Sequence, residues 1–257
     1  MSPKLLILDL DGTVYSGDAP IPGAADAIGA ARKAGKRVLF VTNRANRPVS
    51  TVAKQLRSLG IDCKNDDVIT TAAVAAAHCA GNGGGRCFLI GGLGLRRAFA
   101  ERGLTSAPDG PADWVVVSLD LRFSYAKLLR ATTLIQGGAR FVATNADLLM
   151  PMGDLMMPGA GTLVAAVCAA TGKEPTMIGK PSPMLFHEAL RITGCAPEDA
   201  LVVGDNVSTD IAAAVAAGIP SCLLLTGVST RADAEHSSKR PTVVCANWKE
   251  LKRMISE

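Results

Sequence analysis

The sequence predicts an α/β protein with a Rossmann-like parallel-sheet core and an inserted α/β domain. Apolar runs of strand length alternate with helical patterns along the 257 residues, an order typical of parallel sheets. Hydrophobic residues make up 48% of the chain and aromatic residues only 4%, so aliphatic side chains must build a large interior. The segment GNGGG at 81–85 interrupts the pattern and indicates a domain boundary.

The first part of the chain alternates strictly between strands and helices. The run KLLILD at 4–9 is the first predicted strand, and a helix extends from Pro22 to Ala34, stopped by Gly35. The run RVLFVT is the second strand and DVIT the third. Apolar spacing predicts one helix between these two strands and another after them. The strand RVLFVT lies at 37–42 and the strand DVIT at 67–70. The helix between them lies at 49–59 and the helix after them at 71–80.

The glycine segment separates an insert of about ninety residues, enough for a domain of its own. We expect the core to comprise 1–80 and 176–257 and the insert 81–175. The insert contains the predicted strands RCFLIG, WVVVSL and RFVAT and helices at 124–136 and 162–171. The core pattern then resumes with strands at 176–180, 200–205 and 219–225 and helices at 182–194 and 209–217.

Composition excludes several classes of function. The net charge of +4 comes from scattered Lys and Arg with no run of five, so we expect no nucleic acid polymer as partner. Seven cysteines without a C-x-x-C pair are expected to be reduced residues of a cytoplasmic protein. The first apolar run is broken at Asp9 and none approaches 18 residues, so we expect neither a signal peptide nor a membrane partner.

Polar residues follow four predicted strands, at the sheet edge where ligands bind in open α/β folds. Each motif alone is weak, because a strand commonly ends in a polar turn. Four of them in one chain are hard to explain by structure alone. They are Asp9-x-Asp11-Gly12-Thr13, Thr42-Asn43, Gly179-Lys180-Pro181 and Gly204-Asp205 followed by Thr209-Asp210.

The carboxylates of these motifs predict a metal site. Asp9 and Asp11 are close enough to repel each other, and a divalent cation removes that conflict while neutralising a bound phosphate. Asp205 supplies a third oxygen ligand. Such an oxygen-rich site suits Mg²⁺ rather than zinc, because these motifs contain no Cys or His.

The motifs DLDGTVY, VTN, GKPSP and VGDNVSTD resemble, in this order, the four motifs of the haloacid dehalogenase (HAD) superfamily. The insert lies between the second and third motifs, which is similar to the branch with the larger, C2 type of cap domain. Three further segments resemble the subgroup of NagD-like nucleotide, phosphoglycolate, pyridoxal phosphate and 4-nitrophenyl phosphatases. They are PIPGA (20–24), RFVATNAD (140–147) and PGAGTLVAAV (158–167).

The resemblance implies an Mg²⁺-dependent phosphatase acting on small-molecule phosphate esters of the nucleotide, phosphoglycolate, pyridoxal phosphate or sugar phosphate type. Asp9 would be the nucleophile that forms a phosphoaspartate, and Asp11 the general acid and then the general base. Thr42, through its hydroxyl, and Asn43, through its backbone N–H, would hold the phosphoryl oxygens. Lys180 would offset the charge gathered by the phosphate and the nucleophile.

The resemblance also implies a ligand set for the metal. The carboxylates of Asp9 and Asp205 and the backbone carbonyl of Asp11 would bind Mg²⁺, with Asp210 supporting them. Thr13 would orient Asp11.

Substrate recognition is expected in the cap and in the loop after Thr42. Arg44 and Arg47 either bind a second anionic group of the substrate or belong to a solvated loop. Asn145 and Asp147 follow a strand of the cap and are candidate substrate-binding residues. The next loop is either an adaptable apolar pocket or a hydrophobic loop packed on the cap sheet, and it contains Met150, Met152, Met156 and Met157. The GNGGG segment and the return near 173–175 are expected to be the hinge of the cap.

Other functions fit these residues less well than phosphate ester hydrolysis. C–halogen cleavage has no phosphate to neutralise and no need of Mg²⁺, so Asp11 and Asp205 argue against it. A phosphotransferase or mutase of the same superfamily would need a second acceptor and an intermediate shielded from water. A catalytically inactive binding module would lack the nucleophile or the acid, and neither is missing. A homodimer through the cap stays open, because relatives pair in this way.

Overall fold

The computed structural model describes residues 2–152 and 155–256, which form two compact units. The first unit contains the chain up to Thr42, the segment Ser50–Ile69 and the chain from Lys180 onwards. The second unit contains Asn43–Val49 and Thr70–Gly179. The predicted α/β class with parallel sheets is confirmed by one sheet in each unit with parallel strand pairs.

The strands and helices of the described residues follow each other in a largely alternating order. The strands are β1 (Leu5–Asp9), β2 (Tyr15–Ser16), β3 (Ala19–Pro20), β4 (Arg37–Thr42), β5 (Val68–Thr70), β6 (Arg86–Ile90), β7 (Thr105–Ser106), β8 (Trp114–Val117), β9 (Arg140–Ala143), β10 (Leu149–Met152), β11 (Leu155–Pro158), β12 (Thr176–Met177), β13 (Ala200–Gly204), β14 (Ser221–Leu224) and β15 (Val243–Cys245). The helices are α1 (Ala24–Lys33), α2 (Val49–Ser58), α3 (Thr71–Gly81), α4 (Leu93–Glu101), α5 (Tyr125–Gln136), α6 (Ala160–Thr171), α7 (Met184–Thr193), α8 (Ala212–Ala217), α9 (Arg231–His236) and α10 (Trp248–Ser256).

The sheet of the first unit has the strand order β15-β14-β13-β1-β4-β5. Every residue of β1 is buried, as expected for a central parallel strand covered on both faces. Leu5 pairs with Ala200 on one side and with Arg37 on the other. Because all three strands run in the same direction, their carboxyl ends meet at one edge of the sheet.

The sheet of the second unit has the order β12-β9-β8-β6-β7. Its core includes Phe88, Val115 and Phe141 from the sheet, with Ile135 of α5 and Val164 of α6 packed in the same cluster. Burying each of these side chains contributes about 1.5–3 kcal/mol. A separate antiparallel pair, β10 and β11, carries the methionine-rich segment of this unit.

The return to the first unit differs from the strand predicted at 176–180. That strand is only two residues long, and it pairs with β9 in the second sheet. The first unit resumes at Lys180, and the Lys180–Pro181 peptide is cis. The helix predicted at 209–217 also differs, because it begins as a π-helical turn at Val207–Ile211 and becomes α-helical only in α8.

The glycine segment GNGGG, predicted as a domain boundary and hinge, is a tight turn that lies inside the second unit. Gly83, Gly84 and Gly85 have φ values of 102°, 59° and 103°, in the region that favours glycine. The Trp114 indole donates a hydrogen bond of 2.8 Å to the Gly84 carbonyl.

Several elements lie outside the predicted set: the short strands β2, β3 and β7, the pair β10 and β11, the strand β15 and the helices α4, α9 and α10. Among the described residues, no helix is both long and apolar enough to cross a membrane.

Candidate active site

Four charged side chains of the first unit converge at the carboxyl edge of its sheet. Asp9 is the last residue of β1, and Asp205 directly follows β13. Asp210 lies in the π-helical turn, and Lys180 is the first residue after the second unit. All four are buried. One oxygen from each carboxylate lies within 4.8 Å of an oxygen of the other two, so the sequence correctly anticipated that these strand ends meet.

Lys180 joins two of the carboxylates. Its ammonium donates hydrogen bonds to Asp9 and, over 2.6 Å, to Asp210. The side chain of Lys180 is only 4% exposed, so these charge-assisted bonds are shielded from water. Three acidic groups nevertheless share one ammonium within the cluster, which leaves an excess of negative charge.

Burial dominates the acid–base behaviour of the cluster. It raises the pKa of Asp9 well above its ordinary value, and the charge of Lys180 opposes that shift. Burial also raises the pKa of Asp205, and the nearby charge of Asp210 adds to this effect. For Lys180 burial would lower the pKa, but the charges of Asp210 and Asp9 outweigh it, so the pKa is raised. The lysine stays charged, and a further cation at the carboxylates is favoured.

Asp205 is held by two donors from different parts of the chain. The Thr13 hydroxyl donates a hydrogen bond of 3.0 Å to one carboxylate oxygen, and the Val228 backbone N–H donates one of 2.7 Å to the other. The Thr13 hydroxyl, which was expected to orient Asp11, directs its proton to Asp205. Thr13 is fully buried, where such a bond is not weakened by water.

Three glycines leave room for these carboxylates. A Cβ at Gly12 would lie 2.5 Å from an Asp205 oxygen, and Gly12 also has φ +81°. A Cβ at Gly227 would overlap Asp205, and one at Gly204 would overlap Asp210. Any larger residue at these positions would displace the carboxylates or the backbone beside them.

The loop at 226–229, which follows β14, belongs to the site although the sequence analysis did not single it out. Besides the Val228 N–H, it supplies the Thr226 hydroxyl, which donates a 2.7 Å hydrogen bond to the Gly12 carbonyl. The Ser229 N–H donates to the Asp205 carbonyl over 3.0 Å. The available signal was the dipeptide Thr226-Gly227, directly after an apolar strand at the same sheet edge.

Trp248, at the start of α10, is a second residue that the sequence analysis missed. Its indole N–H donates a 2.8 Å hydrogen bond to the Thr13 carbonyl, and the side chain is fully buried. The C-terminal helix thereby fixes the loop that follows β1.

Asp11 and Thr42 also belong to the first unit. Asp11 is half-buried and forms a bridge with Tyr15. Thr42 is the last residue of β4 and is buried. Because β4 is the neighbour of β1, Thr42 ends at the same sheet edge as Asp9.

The remaining predicted substrate residues lie in the second unit. The side-chain amide of Asn145 donates a 2.8 Å hydrogen bond to the Asn43 carbonyl, as does the Thr71 hydroxyl. The Asn43 amide donates to the Asp147 carboxylate over 3.4 Å. Asn43, Asn145 and Asp147, distant in sequence, thus form one hydrogen-bonded group.

The loop after Asn43 packs against α4. The Gly94 N–H donates a 3.2 Å hydrogen bond to the Asn46 carbonyl, and a Cβ on Gly94 would lie 2.5 Å from the Ala45 carbonyl oxygen. Arg44 and Arg47 are half-buried, so the loop is not fully solvated.

The methionine-rich segment is largely exposed where it is described. Met156 is 60% exposed, while Met150 and Met157 are half-buried. The side chain of Met152 lies outside the described part of the chain.

The donor set fits a hard divalent cation. The group contains carboxylate oxygens from Asp9, Asp205 and Asp210 and neither imidazole nor thiol. Oxygen ligands are those preferred by Mg²⁺ and Ca²⁺, whereas zinc sites usually include Cys or His. Burial raises the pKa values of Asp9 and Asp205, and a bound cation would oppose that effect.

Comparisons with known proteins agree with this geometry. Residues 6–105 match the family model described as haloacid dehalogenase-like hydrolase, and residues 177–251 match that described as HAD-hydrolase-like. The chain is 35% identical over 255 residues to the acid sugar phosphatase of Staphylococcus saprophyticus, covering 99% of this chain and 97% of that protein.

Two solved structures are also similar over nearly the whole chain. The 4-nitrophenylphosphatase of Thermotoga maritima has a TM-score of 0.92 at 32% identity, covering 98% of this chain and 97% of that one. The glycerol phosphate phosphatase of Mycobacterium tuberculosis, solved in complex with magnesium, has a TM-score of 0.91 at 38% identity. In that comparison 98% of this chain and 77% of the other are covered.

Proposed function

Since this chain belongs to the NagD-like branch of the haloacid dehalogenase-like hydrolases and is a phosphoric monoester hydrolase, we propose that it hydrolyses sugar or polyol phosphates through a phosphoaspartate on Asp9. The observation that carries this proposal is the buried convergence of Asp9, Asp205, Asp210 and Lys180. The substrate class is supported by the relatives named acid sugar phosphatase and glycerol phosphate phosphatase.

In the proposed first step, an Asp9 carboxylate oxygen attacks phosphorus and the bond from phosphorus to the substrate oxygen breaks. Asp11 gives its carboxyl proton to the leaving oxygen, so that an alcohol departs. In the second step, Asp11 takes a proton from water, whose oxygen attacks the same phosphorus. The bond to Asp9 then breaks, which releases inorganic phosphate and restores both side chains.

The remaining residues bind and neutralise the phosphoryl group. Lys180 is charged and already bonded to Asp9, so it favours the ionised form of the nucleophile and offsets the charge of the phosphate. Thr42 and Asn43, consecutive at the end of β4, would donate their hydroxyl and backbone N–H to phosphoryl oxygens. Both groups would direct the phosphorus toward Asp9.

The carboxylates of Asp9 and Asp205 and the Asp11 carbonyl would hold Mg²⁺, while Asp210 orients Lys180. Bound there, the cation would supply charge neutralisation for the phosphoryl oxygens. Thr13 and Val228 would keep Asp205 in place for this task.

The experiment that tests the proposal is a panel of phosphate esters assayed for released phosphate, with Mg²⁺ and with a chelator. The panel contains sugar phosphates, glycerol phosphate, phosphoglycolate, pyridoxal phosphate, nucleotides and an aryl ester. We expect the sugar and polyol esters to give the highest kcat/KM and the chelator to abolish turnover. A preference for nucleotides would overturn the substrate class while leaving the reaction intact.

Variants test the residue roles. Asp11→Asn should lower kcat by about 10²–10⁴-fold, the contribution of a positioned acid–base group, and Asp9→Asn should lower it at least as far. Asp18→Asn, at an exposed aspartate of the same loop region, is the matched control and should leave kcat unchanged. Full activity of Asp9→Asn would overturn the covalent mechanism. Transfer of phosphate to added glycerol in preference to water would indicate a phosphotransferase instead.

A further inference from the structure

A cavity of about 250 Å³ lies within the second unit, between its sheet and two of its helices. Its lining residues are distinct from the carboxylate cluster, which belongs to the first unit. Part of the wall is apolar, formed by Phe88 and Leu89 of β6 and by Pro108. The cationic side chains that line it are Arg96 of α4 and Lys127 and Arg130 of α5.

Two of these cations are uncompensated. Lys127 forms an ion pair of 2.7 Å with the buried carboxylate of Asp120, so its charge is neutralised. Neither Arg96 nor Arg130 forms an ion pair with any residue in the described part of the chain. The cavity therefore has a net positive lining.

Arg130 is held in place before any ligand binds. Its Nη2 donates hydrogen bonds to the carbonyls of Gly110, over 2.7 Å, and Ala107, over 3.2 Å. The guanidinium carbon lies 4.9 Å from the centre of the Phe88 ring, within the range of cation–π attraction. Its Nε, by contrast, is buried with no hydrogen-bond partner among the described residues. A buried donor left in this state costs about 1–3 kcal/mol.

We propose that this cavity is a second binding site, which takes a small aryl carboxylate. The guanidinium groups of Arg96 and Arg130 suit a carboxylate because their permanent positive charges favour an anion and their N–H groups form charge-assisted hydrogen bonds with its oxygens. The apolar wall suits a flat ring. The volume is below the roughly 300–1,000 Å³ of drug-sized sites, so the ligand carries one or two rings and a single anionic group.

The probe for this site is 2-naphthoate, titrated into the full chain by calorimetry at low ionic strength. The titration is repeated with added inorganic phosphate, which would occupy the phosphoryl site of the first unit. We expect one molecule to bind per chain. The uncharged 2-naphthamide has the same rings without the charge and should bind at least about tenfold more weakly, since a hydrogen bond to a charged group contributes at least that factor.

Matched variants locate the site. Arg96→Gln should weaken naphthoate binding about threefold, as expected for a partly exposed charge, and the double variant Arg96→Gln/Arg130→Gln at least about tenfold. Arg97→Gln is the control, because Arg97 is the neighbour of Arg96 on α4, pairs with Glu101 and does not line the cavity. Equal binding of the amide, displacement by phosphate or an unchanged affinity in Arg96→Gln would each overturn the proposal. If the double variant fails to fold, the affinity of Arg96→Gln for 2-naphthoate and the binding of 2-naphthamide test the proposal.

Discussion

Replacing Thr13 with valine separates the two roles that this residue could have. Valine has nearly the same shape, so the change deletes one buried hydroxyl and its 3.0 Å hydrogen bond to Asp205. A hydrogen bond to a charged group contributes about 1.5–3 kcal/mol, which corresponds to roughly tenfold to a hundredfold in affinity. If Asp205 binds Mg²⁺ as proposed, the Mg²⁺ concentration for half-maximal activity should rise by about that factor, as for other residues that support metal ligands.

The assay is phosphate release at saturating substrate, measured against Mg²⁺ concentration and against pH. Because the Thr13 proton is directed to Asp205 and not to Asp11, we expect the metal dependence to shift while the pH profile keeps its shape. Thr132→Val is the control, since the Thr132 hydroxyl bonds to a carbonyl within α5. Unchanged metal dependence with an altered pH profile would refute the reasoning and indicate that Thr13 orients Asp11.

Three further predictions follow from burial and close packing. Asp9→Asn should raise the melting temperature of the metal-free protein near pH 7.5 by about 2–4 °C, the shift expected for ~1 kcal/mol in a chain of this size, as followed by circular dichroism. The pKa of Asp9 is raised in the folded state from 3.8, so ionisation of Asp9 destabilises the fold as pH rises above that value. The difference in melting temperature between Asp9→Asn and the unchanged protein should therefore shrink near about pH 4.5, where less of the carboxyl group is ionised. Gly227→Ala should cost about 1–3 kcal/mol in denaturant unfolding and lower activity, because the new Cβ overlaps Asp205, whereas Gly29→Ala in α1 has open space and should not destabilise. Burial raises the pKa of Cys63 to about 11, so its alkylation by iodoacetamide, followed by peptide mass spectrometry, should lag behind that of the partly exposed Cys195 and increase up to that pH.

Each of these predictions has a result that contradicts it. A lower metal-free melting temperature for Asp9→Asn, or a difference that does not depend on pH, would mean that the buried carboxylate stabilises the fold. Equal behaviour of Gly227→Ala and Gly29→Ala would show that the Asp205 carboxylate has room to move. Labelling of Cys63 as fast as Cys195 at about pH 8 would show that its thiol is reached by water.

Much of the candidate site was predictable because parallel strands bring their ends together. Asp9, Thr42 and Asp205 each follow an apolar run, and the rule that such ends share one edge was sufficient to place them side by side. The support around Asp205 was not predictable in the same way. Thr13, Val228 and Trp248 contribute through hydrogen bonds between distant segments, and such pairings leave no periodic signal in a single sequence.

In the fold, too, features that depend on local sequence pattern were predictable, while those that depend on distant neighbours were not. Long apolar strands such as β4 have the bounds that the sequence predicted, 37–42, because their burial depends on local pattern. The glycine turn before β6 was expected to separate two domains because its composition indicates a flexible backbone. In the structure it lies inside the second unit, where the Trp114 indole bonds to the Gly84 carbonyl. The strand predicted at 176–180 was assigned to the core sheet, whereas β12 pairs with β9 in the second sheet. A strand of two residues has too short a sequence pattern to predict which sheet it joins.

The pairing of β1 with β13 has a consequence for the order of synthesis. Asp9 precedes in the chain both the strand beside it and the lysine bonded to it, and the entire second unit lies between them in sequence. Because a chain is synthesised in sequence order, Asp9 is made before these partners exist. The carboxylate cluster can therefore assemble only after β13 and the turn that follows it have been synthesised.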